Sequence, residues 1–203
     1  IWTGNNNKKW NIAGNWVPSI TPSSTTNVII PRDCYRFPEL GSSTYKAKHV
    51  TVESGAELNL KGTIIEQKSL DNYGTVYMEG SADQKTWLTS TSRPMFAHKE
   101  GSKIVYQNVT APNAEIWKGP YKKLEFAFGV PDTIKAASLE VKEQLTVNKS
   151  ITLDTGSGNQ TYDDTINAGG YDVTLKGSTI TTKHNITANN IKVLGDWNSN
   201  SGT

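Results

Sequence analysis

Apolar and polar residues alternate along this chain in short bursts. "NVIIP", "HVTVESGAELNL", "KIVYQNV", "KKLEFAF", "SLEVKEQLTVNKSITL", "YDVTLKGSTI" and "NIKVLG" are each rich in Val, Ile, Leu and Thr and bounded by Gly, Asn, Asp or Ser. A period of two with β-branched residues is the pattern of strands that turn alternate side chains toward a core. Windows with apolar residues at i, i+3, i+4 and i+7 between good caps are missing. Only 136–144 and 92–101 have the composition for a turn or two of helix. The pattern predicts an all-β chain.

The spacing of the bursts says more. Leu139, Leu145 and Ile151 fall six residues apart, each followed two positions later by Val141, Val147 and Leu153. Val52, Leu58 and Ile64 repeat the step, as do Ile180 and Ile186. Strands this short, with turns this close, suit a parallel β-helix (β-solenoid), where each strand stacks on its equivalent in the next coil. At roughly 20 residues per coil the chain holds at most about ten coils. Asn72-Tyr73-Gly74, Asn148, Asn159, Gly169-Gly170 and Asn189-Asn190 supply the corners, since Asn and Gly accept left-handed backbone. The expected organisation is one solenoid domain over 1–203, with an N-terminal cap in 1–40 and coils in 41–203. Residues 66–102, with "SLDNYG" and "SADQKTW", are expected to loop out of the stack. A β-sandwich is the alternative, because composition alone does not separate the two.

Composition narrows the classes of function. There are 21 basic and 19 acidic side chains, a formal net charge of +2, and the lysines are scattered. A nucleic-acid binder would show a basic stripe, so no nucleic-acid partner is expected. The clusters Lys8-Lys9, Lys46/Lys48 and Lys122-Lys123 read as solvated faces. Cys34 is alone, so no internal disulfide staples the fold, and it reads as an inert core thiol. No apolar run is long enough to span a membrane as a helix. The start at Ile1, without Met or a leader, reads as a processed or excised segment of a longer protein.

The opening "IWTGNNNKKWNIAGNWVPSITPSSTTNVIIPRDCYRFPEL" is the most specific phrase in the chain. Trp2-Thr3-Gly4, Trp10-Asn11, Gly14-Asn15-Trp16, Pro18, Pro22 and Asn27-Val28-Ile29-Ile30-Pro31 resemble the opening of β-solenoid modules in large secreted and surface proteins of Bacteroidetes-type bacteria. "AKHVTVESGAELNLKGT" is similar to their first coil, and "GYDVTLKGSTI" and "GDWNSNSGT" to their coil phrases. The resemblance touches residues 1–64 and 138–203, and 66–135 departs from it. It implies an extracellular, modular, largely structural part and brings no catalytic residues. Physically, Trp2, Trp10 and Trp16 are large enough to plug the end of an apolar stack while their indole N–H groups meet turn carbonyls. A sugar-stacking platform is the sharper reading of the same three residues.

Candidate chemistry is thin. "LDTGS", at Leu153–Ser157, has the order with which aspartic proteases present a carboxylate, but those enzymes need two such groups. The chain has one, and Ile151 and Leu153 continue the apolar step, so Asp154 reads as a corner. Asp163-Asp164 lacks the loop of a calcium site. His49, His98 and His184 have no ligand spacing, so no metal and no cofactor is expected. Arg32 and Arg93 belong to no constellation of the kind a solenoid polysaccharide lyase would need. Trp87, Trp117, Tyr106 and Tyr121 lie outside the recognised phrases and are the candidate ligand-binding residues, for stacking on a glycan, with loop anchoring as the plainer reading.

The expectation for function is a non-enzymatic structural or adhesive segment of a bacterial cell-surface or secreted protein. Its partners would be surface glycans or proteins and the rest of its own polypeptide, without membrane insertion. A carbohydrate-binding module is the alternative, and a lyase-like solenoid enzyme a further one.

Overall fold

The computed structural model describes residues 1–41, 45–61, 65–66, 69–80, 95–109, 116 and 119–199. Its strands stack in parallel into a β-solenoid of about seven turns, with a tryptophan cluster at the N-terminus and no α-helix among the described residues. Every strand-to-strand pairing with a described register is parallel, from Asn27↔His49 to Thr182↔Ser199. A sandwich of antiparallel hairpins is thereby excluded. The chain divides into two compact units, Ile1–Glu79 with Thr86–Lys103, and Gly80–Lys85 with Ile104–Thr203.

In the first unit a single 3₁₀ turn, Ala13–Asn15, precedes the coils. The first coil carries β1 (Asn27–Ile30), β2 (Glu39–Leu40) and β3 (Tyr45–Lys46); the second carries β4 (His49–Val52), β5 (Glu57–Lys61) and β6 (Ile65–Glu66). The third has β7 (Ser69–Asn72) and β8 (Thr75–Gly80), and β9 (Met95–His98) stacks on β7. Val28↔Val50↔Leu70 form one inward row, and Leu58↔Val76 another. All five are buried to 0–1% exposure, and burying a side chain of this size contributes about 1.5–3 kcal/mol.

The second unit continues with β10 (Lys103–Val109), β11 (Tyr121–Phe126), β12 (Thr133–Lys135), β13 (Leu139–Val147) and β14 (Ile151–Asp154). It ends with β15 (Gln160–Tyr162), β16 (Thr165–Asn167), β17 (Val173–Thr182), β18 (Ile186–Thr187) and β19 (Ile191–Ser199). Leu124↔Leu145↔Ile166 and Ile134↔Leu153↔Leu175 are its central rows. Partners in a row lie one coil, about 20 residues, apart. The six-residue step therefore counts successive faces of one coil: Leu139 and Leu145 share β13 and Ile151 opens β14.

Two expectations are corrected. Residues 136–144 are not helical, because Leu139, Val141 and Leu145 pair into parallel rows. The span 66–102 does not leave the stack as a whole: β7, β8 and β9 are ordinary rungs within it. The inward row Ile30↔Val52↔Asn72↔His98 turns polar halfway along, which hid it. Asn72 is buried, donates from Nδ2 to the Lys103 carbonyl (3.3 Å) and accepts the Gly74 N–H at Oδ1 (3.0 Å).

His98 has both ring nitrogens buried, and burial pulls its pKa down from 6.5 to about 3. The unfolded chain therefore binds a proton between those values that the folded chain refuses, so stability rises with pH across this window and falls on acidification. From about pH 6.5 to about pH 5 the loss is expected to be about 2 kcal/mol. Urea midpoints across that range check it, and His98→Asn should flatten the early part of the decline.

Candidate functional site

A groove of about 500 Å³ opens in the first unit. Its floor comes from β2 and the start of β3: Leu40 is fully buried and Tyr45 is 9% exposed, with the Trp10 ring behind Tyr45 (centroids 6.3 Å apart). One wall is the segment carrying Lys8, Lys9 and Asn11, and the other ends in Lys61 of β5. The first wall has its course because Asn15 is wholly buried and uses its amide as a clasp. Asn15 Oδ1 accepts the backbone N–H groups of Asn6 (2.9 Å) and Asn7 (3.0 Å), and its Nδ2 donates to Asn7 Oδ1 and the Lys9 carbonyl (2.9 Å each). The clasped segment then lies along β2, where the Glu39 N–H donates to the Lys8 carbonyl (2.9 Å).

Charge in the groove is unevenly matched. Lys8 Nζ meets Glu39 Oε1 at 2.5 Å and Lys61 Nζ meets Oε2 at 3.0 Å. These two hydrogen bonds, from Lys8 first and Lys61 second, hold the Glu39 carboxyl below its usual range. Lys9 makes no ion pair among the described residues and is exposed. Two backbone donors of the groove are engaged: Lys9 N–H by Asn7 Oδ1 (2.8 Å) and Gly41 N–H by Tyr45 Oη (3.2 Å). In the sequence Lys8-Lys9 reads as a solvated face, and nothing there marks Glu39, Tyr45 or Lys61. The only signal was the coil spacing that sets Glu39 beside Asn59 and two residues short of Lys61.

The candidate aromatics fall elsewhere. Trp87 and Trp117 lie outside the described residues. Tyr106 and Tyr121 are core residues, each 1% exposed, with hydroxyls 3.1 Å apart and the Tyr106 ring stacked on Phe126 (5.7 Å). Burial, and then the neighbouring Tyr106, push the Tyr121 hydroxyl well above its ordinary pKa. Stacking on a sugar needs a ring face open to water, so these two leave the candidate surface. The same holds for Trp2, Trp10 and Trp16, buried to 0–4% and packed edge-to-face at 4.8–4.9 Å around Trp16. They are the cap. Trp2 Nε1 donates to the Arg36 carbonyl (2.5 Å) and Trp16 Nε1 to the Trp10 carbonyl (2.7 Å), whereas the buried Trp10 Nε1 has no acceptor among the described residues. Rings that do face water include Tyr35, beneath the Arg36 guanidinium at 4.2 Å, Phe128 and Trp197.

"LDTGS" is a coil corner. Asp154 Oδ1 accepts the Gly156 N–H (2.8 Å) and Oδ2 pairs with Lys176 (2.9 Å). The Lys176 hydrogen bond, then that of Gly156, holds the carboxyl below its usual range. Gly156 takes φ +58°, the left-handed geometry that glycine tolerates. Asp154→Asn keeps an oxygen for the Gly156 N–H and loses only a pair whose lysine is half exposed, so the expected change in unfolding free energy is under about 1 kcal/mol. Thermal or urea unfolding of the variant checks this.

Other polar clusters tie coils together. Asp163 is pressed up by partial burial, but the hydrogen bond from Lys142 (2.8 Å) and the ion pair with Lys183 (2.7 Å) outweigh that and keep its pKa low. Asp164 stays exposed. His49 Nδ1 meets Ser69 Oγ across adjacent coils, and its Nε2 lies 3.4 Å from Asp71 Oδ2, whose other oxygen faces Lys99 at 3.4 Å. These are the residue types of a hydrolase triad, but Asp71 shares its charge with Lys99 and all members sit on outward strand positions. Cys34 is half-buried, its thiol pKa raised by burial. Among the described residues no three His, Cys, Asp or Glu side chains converge as metal ligands, and no helix is long and apolar enough to cross a membrane.

Comparison with curated proteins and with solved structures finds no match. Residues 1–83, which hold the tryptophan cap, the Asn15 clasp and the whole groove, match the family model of a domain of unknown function, DUF8693.

Proposed function

We propose that the chain is a non-enzymatic structural and adhesive segment of a bacterial cell-surface or secreted protein. The observation that carries this reading is the registered outward face of the coils. Thr133, Thr152 and Thr174 stand in one row, and Lys135, Asp154 and Lys176 in the next outward row of the same strands. Parallel partners sit about 4.8 Å apart, so the threonine row offers the same chemistry at a fixed repeat, flanked by charges of alternating sign, on strands paired to their neighbours. A stiff, contact-making segment needs such a regular face. The capped end adds to it, because a covered edge does not recruit stray strands.

Antibody against the chain should label intact cells of the producing bacterium without permeabilisation. Beads coated with the chain should stay on a surface of extracellular polysaccharide under flow where albumin-coated beads wash away. Labelling only after permeabilisation, or equal wash-off, would overturn the reading.

A further inference from the structure

We propose that the groove between Lys9 and Lys61 is a binding site for an acidic polysaccharide, taking a carboxylate-bearing sugar unit. The inference rests on the adhesive reading above and assigns it a ligand class and a place. Three properties of the groove lead there. Its volume, about 500 Å³, is within the range of small-ligand sites. Its lining carries three ammonium groups against one carboxylate, and that carboxylate, Glu39, is already held by Lys8 and Lys61. Lys9 has no ion pair among the described residues, so the surplus there is positive and positioned. Leu40 beneath the groove is closed to water and Tyr45 shows only an edge, while the side-chain amide of Asn11 stands exposed at the rim. A cationic and amide rim complements a sugar unit's hydroxyls and its one carboxylate.

An acidic peptide is the competing class, and the backbone argues against it. Extended peptides gain affinity by pairing with open backbone donors and acceptors. Here the N–H groups of Lys9, Glu39 and Gly41 are taken by Asn7 Oδ1, the Lys8 carbonyl and Tyr45 Oη. With those three closed, recognition falls mainly to side chains, which suits a saccharide.

The test uses the whole chain and calorimetric titration with a short mannuronic acid oligomer, its methyl ester, and an oligoglutamate of similar length. The acid form is expected to bind, with the methyl ester at least about tenfold weaker and affinity falling as salt rises. Lys9→Ala is expected to weaken the acid form about tenfold or more, with an unchanged melting temperature because Lys9 is exposed. Lys9→Arg should retain most of the binding. Equal binding of acid and ester, full affinity in Lys9→Ala, or no binding at all would overturn the assignment. Tighter binding of oligoglutamate would overturn it in favour of a peptide. If coated beads still hold to polysaccharide while Lys9→Ala beads hold equally well, the adhesive role stands and this site falls.

Discussion

Replacing Asn15 by alanine is expected to lower the free energy of unfolding of the first unit by about 4 kcal/mol. Four hydrogen bonds end on this one amide, to the backbone of Asn6, Asn7 and Lys9 and to the side chain of Asn7. Each is worth roughly 1 kcal/mol net, and the groups left behind do worse than that where water cannot reach them. The residue is fully buried, so no solvent stands ready to replace the amide. Asn15→Asp is the informative companion. It keeps the two accepting contacts and loses both donors, placing a carboxylate oxygen against the Asn7 oxygen and the Lys9 carbonyl. It should be at least as damaging as alanine. Urea unfolding followed by β-sheet circular dichroism, with limited proteolysis of 1–40 as the local readout, measures both. A change below about 1 kcal/mol in either would mean that the clasp is ornamental.

Trp2→Ala is the second large effect, expected at about 3–5 kcal/mol. Trp2 is 0% exposed, lies 4.9 Å from Trp16 and 6.5 Å from Trp10 between ring centroids, and donates its indole N–H to the Arg36 carbonyl. Alanine would leave a cavity at the end of the stack and an acceptor without its donor. The strand contact between Trp2 and Trp16 would lose its anchor as well. Trp2→Phe should recover much of the packing but not the Arg36 contact, so an intermediate loss separates the two contributions. Gly4, two residues on, explains the rest of the "WTG" phrase. Its φ is +65°, and a Cβ there would stand 2.2 Å from the Arg36 carbonyl oxygen. Only glycine lets the cap close against residue 36.

These cap residues also mark how far the sequence could be read. The tryptophans, the alternation of strands and the six-residue step announced a capped β-solenoid, because burying large rings and keeping inward rows apolar leave a direct trace in residue type. Rows that turn polar inside left none. Asn72 and His98 occupy inward positions with side chains typical of solvent-facing ones, so the sequence of β7 and β9 reads as loop. The stretch 136–144 was open to helix because Ala, Glu, Lys and Gln favour one locally, while its strand identity depends on partners such as Tyr121 and Tyr162 a coil away. Tyr106 and Tyr121 looked like binding residues since aromatic rings serve both purposes, and only packing tells which. The groove was illegible for a geometric reason. Lys9, Glu39, Tyr45 and Lys61 come from four separate stretches that converge only when the coils stack and Asn15 folds the N-terminal segment over β2.

The one-coil step of about 20 residues has a consequence for how such a chain acquires its structure. Each strand within a unit finds its partner at nearly the same short separation along the sequence, however many coils are added. Loop-closure entropy per rung is therefore constant, and the topology avoids the distant pairings that slow most all-β proteins. A nascent chain can lay down one coil upon the last as it emerges, with the Asn15-clasped cap, N-terminal to the coils, available as a template. Growth by accretion, rather than a single global search, is what this register permits.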